Sequence, residues 1–204
     1  MEWFIQVGQR KFQLTEEQAE KVLGEIGAGA RTKLVDVKAG ETVWIGPWEF
    51  LILDHMEDET VVILKDLLRE NVRFGKNNCY DGSEVDAICN KFAEELAGAV
   101  GEENLTEFAV DLMSDDGLKD YGVVKRKAAL LTTEMYRLFV DALDQQILEK
   151  WWWLSTPFST KRHGDDRCVK CVSPRGYISN DYYFNDLSGV RPFCILKSNI
   201  FVSR

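Results

Sequence analysis

Proline and histidine are both scarce: the 204 residues include four Pro and two His. So few prolines exclude a proline-rich linker or a collagen-like rod. The two histidines, His55 and His163, are the only imidazoles a Ser-His-Asp or Cys-His arrangement could use, and nothing in the sequence sets a nucleophile beside either. No apolar run reaches the ~18 residues of a membrane span. The opening, MEWFIQVGQRKF, lacks the basic-then-apolar order of an export signal. There is no glycine-rich phosphate cradle, no His-Glu-x-x-His pair and no Gly-x-Ser-x-Gly elbow. The expectation is a soluble, non-catalytic chain with no cofactor and no membrane partner.

Cysteine is present in an odd number, five (Cys79, Cys89, Cys168, Cys171, Cys194), so complete internal pairing is excluded and free thiols are expected. Cys168 and Cys171 form a single Cys-x-x-Cys, whereas a structural zinc site usually needs a second such pair. The run Arg167 to Val172 alternates like a strand, which would send residues three apart to opposite faces. Asp165, Asp166, Asn180 and Asp181 offer calcium-type oxygens, but their spacing matches no loop motif. No metal is expected.

A composition of 45% hydrophobic and 29% charged residues is that of a globular protein, and a chain of this length buries roughly 70% of its extended surface. Charge is uneven. Residues 1–150 hold 17 Lys and Arg against 30 Asp and Glu, and residues 151–204 hold 8 against 4, which together give the net charge of −9. An acidic body disfavours direct nucleic-acid binding, which needs clustered cations. It also permits the opposite arrangement, an acidic face that imitates nucleic acid for a basic partner.

Trp3 to Val7 and Arg10 to Leu14 read as a hairpin turning at Gly8. Thr15 and Gln18 have capping-box spacing ahead of Ala19, Val22, Leu23 and Ile26, which predicts a helix. Residues 1–36 are thus expected to form a hairpin-helix appendage and residues 37–204 the main domain. Strands follow at Thr42 to Ile45, Trp48 to Leu53 and Val61 to Leu64, with a turn at Gly46-Pro47. Trp48, Phe50 and Ile52 share one face and Leu51 and Leu53 the other, so that strand should be covered on both sides. Ser83 heads a helix through Val85, Ile88, Phe92 and Leu96. A short helix is expected over Leu105 to Leu112 and a strand over Lys127 to Leu131. Thr132 or Thr133 should cap a long helix with the stripe Met135, Leu138, Phe139, Ala142 and Leu143. Residues 151–204 carry 10 of the 23 aromatic side chains. Turn formers at Pro157, Gly164, Pro174-Arg175-Gly176, Ser179-Asn180-Asp181 and Asn185-Asp186 there predict short strands joined by polar loops.

Trp152-Trp153-Leu154-Ser155-Thr156-Pro157, followed by Ser188-Gly189-Val190-Arg191-Pro192-Phe193-Cys194-Ile195-Leu196, resembles a bacterial and phage domain family of unknown function with a WWLRSP…GVRPAL signature. Gly40 to Leu53, Asn78 to Phe92 and Ala129 to Phe139 extend the resemblance over residues 38–202. The chain departs from the pattern at Ser155, where the family has Arg, and at Phe193, where it has Ala. That family is similar to C-type-lectin-like domains. The resemblance implies an α+β fold with a mixed or antiparallel sheet and two to three helices. It also implies that Trp152, Trp153, Gly189, Arg191 and Pro192 are structural, with Arg191 on backbone carbonyls or an acid, and that the polar loops between the two motifs form the ligand surface.

The loops Thr160 to Asp166 and Tyr177 to Asp186 are rich in the residue types of adaptable recognition surfaces. The expected binding residues are Arg162, His163, Asp165, Asp166, Tyr177, Asn180, Asp181, Tyr182, Tyr183 and Asn185, with Arg162, Tyr182 and Tyr183 as anchors. The expected function is recognition of a protein or glycan ligand by a module of phage or mobile-element origin, cytoplasmic in a bacterial host or virion-associated. The alternative is a cytosolic inhibitor that turns its acidic surface on a host defence protein. An enzyme related to sulfatase-modifying oxidases would need a reactive Cys pair, against which the strand placement of Cys168 and Cys171 speaks.

Overall fold

In the computed structural model, residues 3–7, 10–15, 18 and 31–204 are described. β1 (Trp3–Val7) pairs antiparallel with β2 (Arg10–Leu14), the expected hairpin. The Thr15 N–H donates to the Gln18 side-chain oxygen (3.0 Å), and the Gln18 N–H donates to the Thr15 hydroxyl (3.2 Å). This reciprocal pair is the capping box; the helix expected to follow it, through Ile26, lies outside the described residues. β3 (Thr32–Lys33) pairs with β15 (Phe201–Val202), and Leu34 beside it is fully buried. Leu34 and Val37, on either side of the junction expected at residues 36 and 37, both join a buried core cluster with Val43, Phe50 and Leu196.

The architecture is α+β. β4 (Thr42–Ile45), β5 (Trp48–His55), β6 (Glu59–Leu64), β7 (Leu105–Thr106), β10 (Ala128–Ala129) and β14 (Phe193–Lys197) build one antiparallel sheet. Its order is β10-β14-β6-β5-β4, with β7 also on β14. Gly46, at φ 58°, precedes Pro47 in the β4–β5 turn, a combination suited to a two-residue hairpin. Both faces are covered, as the two-sided pattern of β5 requires. Leu51, Leu53, Val61, Ile63 and Phe193 join one core, while Phe50, Ile52, Val62, Leu64, Cys194 and Leu196 join the other. α1 (Glu84–Val100) is capped by Ser83, whose hydroxyl accepts from the Asp86 N–H at 3.1 Å. It starts in the first core with Val85 and Cys89 and ends in the second with Phe92, Ala93 and Leu96.

Three expected elements differ. The helix expected over Leu105 to Leu112 is β7 followed by β8 (Phe108–Asp111), which forms a hairpin with β9 (Val123–Arg126). Its burial has period two: Val110 and Leu112 are buried while Ala109 and Asp111 are exposed, and the Phe108 ring lies 4.7 Å from that of Phe193. The strand expected over Lys127 to Leu131 shortens to β10, and the Leu131 carbonyl turns instead to the Ser155 N–H at 2.9 Å. Thr132 does cap a helix, accepting from the Met135 N–H. At Phe139 (φ −101°, ψ 13°) that helix breaks into α2 (Thr133–Leu138) and α3 (Val140–Leu143), leaving Leu138 of the expected stripe 73% exposed.

A three-stranded antiparallel sheet follows, in the order β11 (Trp152–Pro157), β12 (Cys168–Val172), β13 (Ile178–Tyr182). Ser179-Asn180-Asp181, read as a turn, lies within β13. The turn expected at Pro174-Arg175-Gly176 is present and connects β12 to β13. There the Ser173 hydroxyl accepts from the Arg175 and Tyr177 N–H groups, and Gly176 supplies φ 80°. An edge strand tolerates such polar residues because one of its sides faces water.

A candidate recognition surface

Five residues hold the surface in place, and each has its own physical reason. Trp152 and Trp153 are buried, the latter donating its indole N–H to the Val72 carbonyl at 2.8 Å. Gly189 admits no side chain: a Cβ there would stand 2.4 Å from Leu67 Cδ1 and 2.7 Å from the Arg69 carbonyl. Its own N–H and C=O bond the Trp151 carbonyl and the Trp153 N–H. Arg191 is 1% exposed, donates to the Leu64 and Lys65 carbonyls at 2.8 and 3.1 Å, and stands over Trp152 at 5.2 Å. Burial lowers its pKa to about 10. Pro192 precedes β14, a strand position that needs no ladder N–H, and its carbonyl accepts from Leu64.

The loop Thr160 to Asp166 is clamped, not free. The Asp116 carboxylate accepts from the Ser114 and Ser159 hydroxyls at 2.5 and 2.7 Å, and His163 Nδ1 lies 2.8 Å away. Hydrogen bonds from Ser114, then Ser159, with a smaller contribution from His163, lower the Asp116 pKa from 3.8 to about 2. Asp120 accepts from the Thr160 hydroxyl at 2.6 Å and pairs with Arg162. Asp165 accepts from the Arg167 N–H, and Asp166 lies 3.7 Å from Lys161. Behind the loop, buried Asn78 donates to the Ser159 and Cys168 carbonyls (2.9 and 3.1 Å) and accepts from the Tyr121 hydroxyl (2.6 Å). Arg162, expected as an anchor, is committed to Asp120, and His163 to Asp116. The sequence could not show this, because each acid lies more than 40 residues upstream of the cation it meets.

The turn after β13 behaves differently. The Asp181 carboxylate accepts from the Tyr182 N–H (2.8 Å) and from the Asn185 side chain (2.6 Å), and the Asn185 N–H donates to the Tyr182 carbonyl (3.0 Å). Asp181 and Asn185, expected as ligand contacts, thus shape a tight turn. Tyr183 faces inward. It is half-buried, packs against the first core, donates its N–H to Arg167 and accepts from Phe74 through its carbonyl. Of the two tyrosines expected as anchors, Tyr183 is thus the less exposed: in a tight turn, a middle residue held by its backbone brings its neighbours outward. Tyr182 and Phe184 stack in parallel with centroids 5.1 Å apart and an interplanar angle of 6°, and they are 42% and 49% exposed. Arg167 lies 5.9 Å from the centroid of Tyr182. Tyr177 is 56% exposed at the opposite end of β13, and Asn180 is exposed between them. Phe184 and Arg167 were missed by the sequence reading. The signal available for Phe184 was its i+2 spacing from Tyr182 inside an Asp-to-Asn turn.

The remaining chemistry is muted. Burial raises the pKa of Cys168 and raises that of Cys171 to about 12, disfavouring thiolates. Along β12, Cys168 pairs with Tyr182 and Cys171 with Ser179. His55 Nε2 donates to the Val37 carbonyl at 2.6 Å, and Nδ1 shares a hydrogen bond with Thr60, so this ring ties the chain near Val37 to β5 and β6. Open clefts of about 480 and 230 Å³ lie elsewhere, at Lys33, Glu57 and Lys197 and along α1 at Ile88 and Phe92. Among the described residues no helix is long and apolar enough to cross a membrane, and no group of three or more His, Cys, Asp or Glu is placed to hold a metal. The chain matches no protein-family model, no curated protein and no solved structure.

Proposed function

We propose that this protein is a non-catalytic recognition module of C-type-lectin-like architecture, of phage or mobile-element origin. It binds a protein or glycan through the turn Tyr182 to Asn185 and the adjoining strand β13. The observation that carries this reading is the parallel stack of Tyr182 and Phe184, held outside the core by a turn that the Asp181 carboxylate and the Asn185–Tyr182 backbone hydrogen bond close. Stacked rings with a cation on one face present flat apolar area at little entropic cost, the chemistry of binding anchors. Burial, which raises the pKa of Cys168 and of Cys171, speaks against thiol catalysis at this strand and so supports a binding role.

The test is a binding panel of immobilised bacterial-surface glycans and envelope proteins. It is run with the wild type and a Tyr182→Ala/Phe184→Ala double variant, at about 0.05 M and about 0.5 M salt. Binding retained at high salt and lost in the double variant is expected. Binding that ignores the double variant and vanishes with salt would overturn this reading in favour of an acidic inhibitor aimed at a basic host protein.

A further inference from the structure

We propose that the free edge of β13 docks an extended peptide bearing acidic side chains, adding it as a fourth strand to the sheet β11-β12-β13. This rests on the recognition reading above and names its partner class. In an antiparallel pair, successive residues turn their backbone groups alternately toward and away from the neighbouring strand. The bonds from the Tyr183 N–H to the Arg167 carbonyl and from the Ser173 N–H to the Tyr177 carbonyl mark which residues face inward. With Val169 opposite Asp181 and Cys171 opposite Ser179, the N–H and C=O groups of Ile178, Asn180 and Tyr182 point away from β12. Those of Tyr182 are occupied, its N–H by the Asp181 carboxylate and its carbonyl by the Asn185 N–H. Those of Ile178 and Asn180 meet no protein partner among the described residues. The edge is therefore closed at its end by the aromatic turn and open along the rest, where natural proteins ordinarily blunt or cover a strand.

Outward N–H and C=O groups alternating along a strand fit the main chain of another extended segment. Charge narrows the segment further. Arg175, in the turn that leads into β13, is exposed and has no carboxylate partner among the described residues. Arg167 stands at the other end, exposed, over Tyr182, with the Asp165 carboxylate 3.7 Å from its guanidinium. The nearby Asp181 carboxylate is already held by Tyr182 and Asn185. A carboxylate at either end of the incoming peptide meets a cation, and an apolar side chain toward its Arg167 end packs on Tyr182.

The experiment uses a labelled peptide of about nine alternating valine and glutamate residues, titrated by fluorescence anisotropy into the whole chain. Asn180→Pro removes the outward N–H and leaves the β12–β13 bonds intact, since proline is tolerated on an edge. Asn180→Ala keeps that N–H and serves as the control. Binding by the wild type and Asn180→Ala is expected, with Asn180→Pro weaker by at least about tenfold and a valine–lysine peptide weaker than the acidic one. In the wild type the amide protons of Ile178 and Asn180 should exchange more slowly when peptide is added, a readout that does not depend on how the proline variant folds. No binding by the wild type, equal binding by the two Asn180 variants, or unchanged exchange at those amides would overturn the proposal. The Tyr182→Ala/Phe184→Ala variant separates the two ideas. If it loses a glycan or envelope protein that Asn180→Pro still binds, the recognition surface stands and the docking edge fails; the converse pattern sinks the aromatic surface alone.

Discussion

Asn78 has no exposed surface and uses both ends of its amide, so it joins the segment before α1 to the loop that follows β11. Asn78→Asp would set a carboxylate against two carbonyls, and a loss of about 3 kcal/mol is expected in urea unfolding. Tyr121→Phe, which removes one hydrogen bond, should cost about 1 kcal/mol. Arg191→Lys should cost about 2 kcal/mol, because an ammonium cannot reproduce the planar fork that reaches two carbonyls and lies on Trp152. Asp116 links stability to pH. Its folded pKa, about 2, lies below the ordinary 3.8, so its contribution is complete above the ordinary value and is lost as pH falls toward 2. Acid unfolding followed from pH ~5 to ~2 should show that fall in the wild type and a flatter profile in Asp116→Asn, which is weaker at neutral pH. Of these residues only Arg191 was legible beforehand, through its motif. Asn78, Asp116 and Asp120 have partners far along the chain, and no local pattern encodes such pairings.

The elements that sequence periodicity identified are those whose own neighbours explain them. Ser83 and Thr132 cap their helices through bonds three residues along, and β5 shows both of its faces in one run of eight residues. Where the reading failed, a distant surface decided. Phe108 packs on Phe193, which holds β8 in a strand although Leu105 to Leu112 can be spaced as a helix. The break at Phe139 turns Leu138 out to water. Leu138→Glu should therefore change stability by less than about 0.5 kcal/mol, whereas Leu143→Ala should cost about 2 to 4 kcal/mol in the same denaturation assay. A continuous helix with the full stripe would make the two costs similar.

Across the described residues of the main domain, α1 and the six-stranded sheet contribute to both cores, so the cores should melt together. Val85→Ala, in the first core, and Leu96→Ala, in the second, are each expected to lower one shared transition by about 1 to 4 kcal/mol. Two separate transitions would show that the cores fold independently. Thiol accessibility offers a second check at this scale. Cys89, Cys171 and Cys194 are buried and Cys79 and Cys168 partly exposed, so an aromatic disulfide reagent should react with two thiols in the native chain and with the other three only on unfolding. By itself the sequence determined the class of each strongly patterned segment, the caps, the two-faced strand and the structural cast of the Trp152 to Pro192 motifs. The patterned segments, caps and two-faced strand follow from backbone geometry and from side chains a few residues apart, whereas the structural reading of the motifs came from the resemblance alone. Only the tertiary structure decided which polar residues are free. It bound Arg162 and His163 to distant acids, drew Tyr183 inward, and left Tyr182, Phe184 and the edge of β13 facing water. The reason is physical: hydrogen bonds and ion pairs are matched through space, and any of several similar residues satisfies the same local pattern until the fold chooses its partner.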